Sequence, residues 1–112
     1  MAYRVDLTPR AVLDIEEAFE YIDQAAPTRA KHWLLGLMDA VYSLEDMPER
    51  FPVAPESEDL GKEIRHALYG KRTGIYRIIF RIYKDAPGEG VVRVICVRHG
   101  ARDRLKPEDL DE

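Results

Sequence analysis

The sequence predicts a single α+β domain of two layers, spanning residues 1–112, in which two helices cover one face of a small sheet. Three observations predict this fold. A short alternating segment opens the chain, two amphipathic helical segments follow it, and three strand-like segments occupy the second half. The consecutive strands of that half are expected to pair antiparallel. Both helices then lie on one side of the sheet, and the other face is expected to stay partly open.

The N-terminal segment AYRVDL predicts the first strand, because Tyr3, Val5 and Leu7 alternate onto one face. Thr8 and Pro9 then predict the start of a helix, since a hydroxyl can cap it and proline suits the first helical position. This first helix is predicted to run to about residue 24. Its apolar side recurs at helical spacing, opposite acidic residues, through Val12, Ile15, Phe19 and Ile22.

The second helix is predicted to begin after the break AAP, with Thr28 as its cap, and to end at Met47-Pro48. The short connection predicts an antiparallel pair of helices. Trp33 lies beside the apolar stripe and is expected to pack against the first helix. The stripe itself consists of Ala30, Leu34, Leu37, Val41 and Leu44.

The second half begins with a proline-rich loop, PERFPVAPESEDLGK, followed by three strand candidates. EIRHALY is the weakest, and GIYRIIFRIY is the strongest because one of its faces is wholly apolar. VVRVICVRH follows after the turn DAPGEG. Strict alternation in this last strand places Val92, Val94 and Cys96 on one face.

The formal net charge of −4 hides an uneven distribution along the chain. Residues 1–61 carry five Lys/Arg and thirteen Asp/Glu, whereas residues 62–106 carry twelve basic and four acidic residues. Such asymmetry indicates an anionic partner for the basic part, unless the two halves neutralise each other in the fold. The single cysteine has no partner within the chain, and no segment has the length of a membrane span or a signal core. A cytosolic location is therefore expected.

The basic residues are predicted to gather on the open face of the sheet. Alternation turns Arg77 and Arg81 away from the helices, and an antiparallel neighbour brings Arg93 and His99 to the same side. Arg102 follows the end of the last strand. Guanidinium groups suit phosphate oxygens and aromatic rings suit stacked bases, so this face is consistent with RNA binding. A solvated face, kept for solubility or for an acidic partner, is the alternative.

The sequence resembles the RelE/ParE superfamily of bacterial toxins from type II toxin–antitoxin modules over most of its length. The resemblance is carried by the opening strand with LTPRAVLDIEEAFEYI, by LEDMPERFP, by YGKRTGIYRIIFRI and by VRVICVRHGARDRL. It implies a small antiparallel sheet packed on a helical hairpin, which agrees with the layers predicted above.

The resemblance also implies a growth-inhibiting toxin that a cognate antitoxin protein neutralises. RelE-like toxins cut messenger RNA in the ribosomal A site and ParE-like toxins inhibit DNA gyrase, and their shared scaffold does not choose between them. The favoured prediction is a ribosome-dependent mRNA interferase that cleaves without a metal. The alternatives are a gyrase inhibitor that acts by binding, and a homologue without toxicity that serves as a binding protein.

For RNA cleavage, the resemblance assigns Arg77 and Arg102 to the binding of the scissile phosphate and the stabilisation of its charge. His99 is the candidate general base or acid, because its reference pKa of about 6.5 lies near neutrality. Arg65 would replace a lysine that RelE carries on the preceding strand. Contacts to the substrate are expected from Arg65, Tyr69, Lys71, Arg72 and Arg81.

The chain also departs from RelE, which has two lysines on the preceding strand and a tyrosine in its C-terminal segment. Here those segments read EIRHALY and PEDLDE, so whether the chain is an enzyme stays open. The histidines and Cys96 show no metal-ligand spacing, and neither a metal nor a cofactor is predicted. The expected partners are an antitoxin and either the ribosome with mRNA or DNA gyrase, with no membrane.

Overall fold

The computed structural model describes residues 3–84, 90–102 and 104–110. Its helices and strands follow one another as β1 (Arg4–Leu7), α1 (Pro9–Ala25), α2 (Pro27–Tyr42), α3 (Glu56–Leu60), β2 (Arg65–Tyr69), β3 (Tyr76–Tyr83) and β4 (Val91–His99). The predicted α+β fold is therefore confirmed. The predicted turn DAPGEG lies largely outside the described residues. No helix in the described part of the chain is long and apolar enough to cross a membrane.

The four strands form one mixed sheet in the order β1-β4-β3-β2. β2, β3 and β4 pair antiparallel as predicted, whereas β1 pairs parallel with β4. β1 and β2 lie at opposite edges of the sheet, because α1 and α2 carry the chain from one edge to the other. β3 and β4 then return towards β1, and β4 lies beside it in the same direction.

The main core lies between the helices and the sheet. It joins Ile15 of α1 and Leu37 of α2 to Ile78 and Phe80 of β3, all of them buried. Val5 and Leu7 of β1, and Tyr3 just before it, pack at the edge of this core, as their alternation predicts. At the start of α1, the hydroxyl oxygen of Thr8 accepts a hydrogen bond from the N–H of Ala11 at 3.1 Å, which confirms the predicted cap.

The helices differ from the prediction at the boundaries of α2. Ala26, not Thr28, is the residue that precedes α2, and it provides no side-chain cap. The helix ends at Tyr42, five residues before the predicted end, and two short 3-10 turns carry the chain onward. Trp33 of α2 packs against the rings of Tyr69 and Tyr76 in the sheet, contacts that the expected packing on α1 did not include.

A β-bulge in β4 overturns the predicted alternation of that strand. Ile79 pairs with Cys96 and its neighbour Phe80 pairs with Val94, so Ile95 is an extra residue in the ladder. Every side chain after it changes sides. Val97 packs in the helix-side core, and Cys96 lies on the opposite face.

The bulge reverses the position of His99 in the same way. His99 pairs with Tyr76 and its ring contacts that of Tyr76 on the helix side. Arg77 lies on the other face, where it pairs with Arg98. The prediction that Arg77 and His99 share the open face was therefore wrong, because strict alternation counts no extra residue.

The face opposite the helices is also more covered than predicted. The loop over residues 48–62 contains α3, and this short helix and the C-terminal segment pack over the middle of the sheet. A second, smaller core results, in which Ile64, Ile79, Cys96 and Leu105 are buried. The predicted open basic face is therefore divided, with buried arginines under the cover and Arg81 and Arg93 beyond it.

Candidate functional site at the basic end of the sheet

Four of the predicted site residues come together at one end of the sheet, where β3 begins and β4 ends. The turn between β2 and β3 is joined to the turn after β4 by a hydrogen bond from the N–H of Gly100 to the carbonyl of Ile75, at 2.8 Å. The N–H of Arg102 donates to the carbonyl of His99 at 3.0 Å and closes the second turn. We call this group the sheet-end cluster; it consists of Lys71, Arg72, His99 and Arg102.

The turn between β2 and β3 is built on two residues in the left-handed backbone region. Gly70 has a φ of +116°, and an added Cβ would lie 2.2 Å from the carbonyl oxygen of Gly74, so no other residue fits. Arg72 has a φ of +56°, a conformation that costs a residue with a Cβ about 1–2 kcal/mol. The side chains of Lys71 and Arg72 are exposed, and neither makes an ion pair within the described residues.

Within the sheet-end cluster, the ring of His99 is held in place by its neighbours. Its Nδ1 accepts a hydrogen bond from the N–H of Ala101 at 3.1 Å, which places the proton of the neutral ring on Nε2. The ring meets Tyr76 edge to face, with 5.3 Å between the centroids. The side chain is half-buried, so its orientation is largely determined before any partner binds.

Arg77 lies close to the cluster but is chemically occupied. It borders a shallow cavity of about 400 Å³ together with His99, yet its guanidinium group points to the other face. There Nη1 and Nη2 donate to the two carboxylate oxygens of Glu56 at 2.8 and 2.6 Å, and Nε donates to Nδ1 of His66 at 3.0 Å. Only 8 % of Arg77 is exposed.

Glu56, the partner of Arg77, was not among the predicted site residues. It is fully buried, and it also accepts a hydrogen bond from the N–H of Leu105 at 3.1 Å. Burial alone would raise the pKa of this carboxyl, but the hydrogen bonds from Arg77 and Leu105 outweigh it and lower the pKa to about 2. Sequence offers little signal for it, because ESED reads as a solvated acidic segment.

Comparison with known proteins gives the family. Residues 5–104 match the family described as the ParE toxin of the type II toxin–antitoxin system parDE. The chain belongs to the ParE toxin family. It is therefore a toxin of a type II toxin–antitoxin system, and an antitoxin is its partner. Of the two kinds of toxin that the sequence resembles, RelE-like and ParE-like, the family match is to ParE.

A solved structure supports the fold of this ParE family member. It is described as the chromosomal ParDE toxin–antitoxin system from P. aeruginosa, and it matches with a TM-score of 0.65. The match covers 88 % of this chain and 96 % of that chain at 14 % sequence identity. No curated protein matches the sequence.

The other predicted site residues of this ParE toxin lie outside the sheet-end cluster. The guanidinium of Arg65 donates to the carbonyl of Phe51 at 2.6 Å, so it holds the proline-rich loop against β2. The hydroxyl of Tyr69 donates to the carbonyl of Trp33 at 2.9 Å and ties β2 to α2. Arg81 stacks on Tyr83 beyond the covered part of the sheet. The structure therefore does not bring these three together with His99.

The cluster provides the ParE toxin with a positively charged end suited to an anionic or polar partner surface. Lys71, Arg72 and Arg102 are exposed on two turns that one hydrogen bond joins. Flexible cations of this kind bind through charge and hydrogen bonds. Within the described ranges, no group of three or more His, Cys, Asp or Glu residues is placed to hold a metal ion.

Proposed function

We propose that this toxin acts in the cytosol by binding DNA gyrase and inhibiting it, without cutting RNA. The observation that carries the proposal is the Arg77–Glu56 ion pair, in which both terminal nitrogens of the arginine are already bonded. Gyrase is the target that the resemblance to ParE-like toxins implies.

Metal-independent RNA cleavage requires a proton acceptor and fixed positive charge around the same phosphate. In this chain, Arg77 and His99 point to opposite faces of the sheet. To reach a phosphate, Arg77 would have to leave Glu56 as an unpaired buried carboxylate, which costs several kcal/mol, on the order of 3–5. The lysines and the C-terminal tyrosine that RelE carries are also missing. These features favour action by binding over catalysis.

The favoured experiment measures gyrase supercoiling and DNA breaks in the presence of purified toxin. Wild type is expected to block supercoiling or to stabilise broken DNA. The double variant Arg72→Ala with Arg102→Ala is expected to weaken this effect at least tenfold. The matched control, Lys31→Ala with Lys62→Ala, removes the same charge from exposed positions outside the cluster and is expected to behave like wild type.

Primer extension on mRNA from cells that express the toxin without its antitoxin tests the alternative. Cuts in the ribosomal A site that disappear in His99→Gln would support the mRNA interferase and contradict our proposal. Normal supercoiling at an excess of toxin would contradict it as well. Normal growth of cells that express the toxin alone would indicate a member that has lost toxicity and serves as a binding protein.

A further inference from the structure

A cavity lies between the connection of the two helices and the basic end of the sheet. Its volume is about 560 Å³, within the range of about 300–1,000 Å³ that small-ligand sites occupy. The last turns of α1, the first turns of α2 and the sheet-end residues Gly74, Tyr76 and His99 form its walls. The cavity thus opens beside the sheet-end cluster, although its other half belongs to the helices.

Aromatic rings form much of the wall. Trp33 meets Tyr76 at 5.2 Å between centroids, and Tyr76 meets His99 at 5.3 Å, both edge to face. Tyr21 adds a fourth ring from α1, and its side chain is 75 % exposed. An exposed tyrosine beside a row of fixed rings offers a face on which a planar group can stack. Trp33, Tyr76 and His99 are held by their mutual contacts, so a ligand would not have to order these three rings.

The cavity is lined by a cation and by no acidic residue, although the whole chain is acidic. None of the residues that line it is Asp or Glu, and Arg29 lines it from α2. Arg72 lies in the same turn as Gly74, and Arg102 is bonded to the backbone of His99. By contrast, two other cavities of similar volume, next to α3, are bordered by acidic side chains, among them Asp59 and Glu63.

We propose that this cavity binds a nucleotide, either free or as an unpaired residue of a single strand. The base stacks against Tyr21 and the fixed rings, and the phosphate bonds to Arg29 and to the cations of the sheet-end cluster. Stacking on an aromatic side chain and a bidentate bond to arginine are the two contacts that single-stranded nucleic acids use most. This inference concerns a second ligand and does not depend on gyrase as the target.

An acidic protein segment with an aromatic side chain is the competing occupant. The nucleotide is favoured because Arg29 lines the cavity, no Asp or Glu lines it, and His99 of the sheet-end cluster forms part of its wall. A nucleotide carries a base and a phosphate in one molecule and so matches the rings and the arginine together, whereas a single aromatic side chain needs no flanking charge.

The test uses the fluorescence of Trp33, which is the only tryptophan in the chain. Adenosine 5′-monophosphate and a 12-nucleotide single-stranded RNA are titrated into the intact toxin, and both are expected to quench the emission saturably. Adenosine and ribose 5-phosphate serve as competitors, and each is expected to bind at least tenfold more weakly than the nucleotide. If only the RNA binds, the ligand of the cavity is a nucleotide within a single strand. If adenosine 5′-monophosphate binds as tightly as the RNA, the ligand is a free nucleotide.

Variants show whether the cavity is responsible. Arg29→Gln and Tyr21→Ala are each expected to weaken binding about tenfold, the effect of losing one charged hydrogen bond or one stacking contact. Lys31→Gln on the same helix and Tyr42→Ala, also an exposed tyrosine, are the matched controls and are expected to change binding less than twofold.

Three outcomes would overturn the proposal. These are no saturable quenching by either probe, ribose 5-phosphate binding as tightly as the nucleotide, and equal effects of the cavity variants and their controls. Quenching by the peptide Asp-Phe-Asp, with none by the nucleotide or the RNA, would assign the cavity to a protein chain instead. Far-UV circular dichroism of each variant confirms that it is folded before binding is compared.

Discussion

Arg77 of β3 is bound through both terminal nitrogens by the carboxylate of Glu56 in α3, at 2.8 and 2.6 Å. The same carboxylate accepts the N–H of Leu105, and the remaining donor of Arg77 is bonded to His66 of β2. One acidic side chain therefore connects α3, the C-terminal segment and two strands. The ion pair explains why this face of the sheet is covered and why its central arginine is not exposed.

Replacing Glu56 with Gln is expected to destabilise the toxin by about 3–5 kcal/mol, because it leaves the buried guanidinium of Arg77 without a counter-charge. The measurement is urea-induced unfolding followed by circular dichroism. Glu58→Gln is the matched control, since Glu58 lies exposed on the same short helix and should change stability by no more than about 0.5 kcal/mol.

A second variant separates loss of the pair from loss of one partner. Replacing both residues, Glu56→Leu with Arg77→Met, removes both buried charges and is expected to be much less destabilising than Glu56→Gln. If Glu56→Gln costs no more than Glu58→Gln, the buried ion pair is not what holds the cover on the sheet.

Acidification is expected to weaken the same network, starting at His66. Burial, and then the positive charge of Arg77, lower the pKa of His66 below its ordinary value. As the pH falls, His66 therefore binds a proton in the unfolded chain first, at a pH near 6.5. Because the folded protein binds this proton less readily, the stability present above that pH declines as the pH falls further. Glu56 contributes a second loss as the pH falls below about 4.5 towards its folded pKa of about 2.

The role of His66 can be measured as the difference in unfolding free energy between pH 7.5 and pH 5.5. His66→Asn keeps an acceptor for Arg77 but cannot be protonated in this range, so it should show a smaller difference than wild type. His32→Asn, at an exposed position on α2, should keep the wild-type difference. Equal pH dependence in wild type and His66→Asn would contradict this role.

The sequence predicts the strands well because their composition and alternation are strong. β3 and β4 end at the residues where the apolar pattern ends, Tyr83 and His99. The sidedness of β4 could not be predicted in the same way, because an extra residue at Ile95 is stabilised by tertiary contacts. The hydroxyl of Thr8 donates to the carbonyl of Ile95 at 2.7 Å, and Asp14 accepts the N–H of Val97 at 3.0 Å.

The candidate site was predicted only in part for a related reason. Lys71, Arg72, His99 and Arg102 do meet at one end of the sheet, because strand order alone places their turns together. The burial of Arg77 depends on Glu56, which lies 21 residues away in a segment whose prolines and acidic residues indicate a loop. A pairing between a short helix and a distant strand leaves no periodic pattern in the sequence.

The bulge provides a further prediction at Thr8, whose hydroxyl both caps α1 and donates to Ile95. Thr8→Val keeps the shape but loses both hydrogen bonds and leaves the buried carbonyl of Ile95 without this donor. It is expected to cost about 1–3 kcal/mol. Thr8→Ser retains the hydroxyl and should remain within about 1 kcal/mol of wild type. Equal unfolding midpoints for the two variants would show that the hydroxyl stabilises neither the helix nor the bulge.

Cys96 is expected to be chemically inert in the folded toxin. It is 1 % exposed in the smaller core, and burial raises the pKa of its thiol to about 12. Thiolate, the reactive form, is therefore scarce near neutral pH. Labelling with a disulfide reagent at pH 8 should be negligible without urea and should rise with the global unfolding transition. Rapid labelling of the native protein would mean that α3 and the C-terminal segment open readily.

Arg72 provides the test that separates stability from function in the sheet-end cluster. Its φ of +56° disfavours any residue with a Cβ, so Arg72→Gly relieves strain and is expected to raise stability by about 0.5–1 kcal/mol. Arg72→Ala removes the same charge but keeps the unfavourable backbone, so it should not gain stability.

Both Arg72 variants lose the guanidinium group and are expected to inhibit gyrase less than wild type. A toxin that becomes more stable but less inhibitory through Arg72→Gly would indicate that the strained arginine is retained for binding. If Arg72→Gly inhibits gyrase as well as wild type does, the charge of this turn takes no part in the interaction. The same unfolding and supercoiling assays, applied to wild type and both variants, decide between these outcomes.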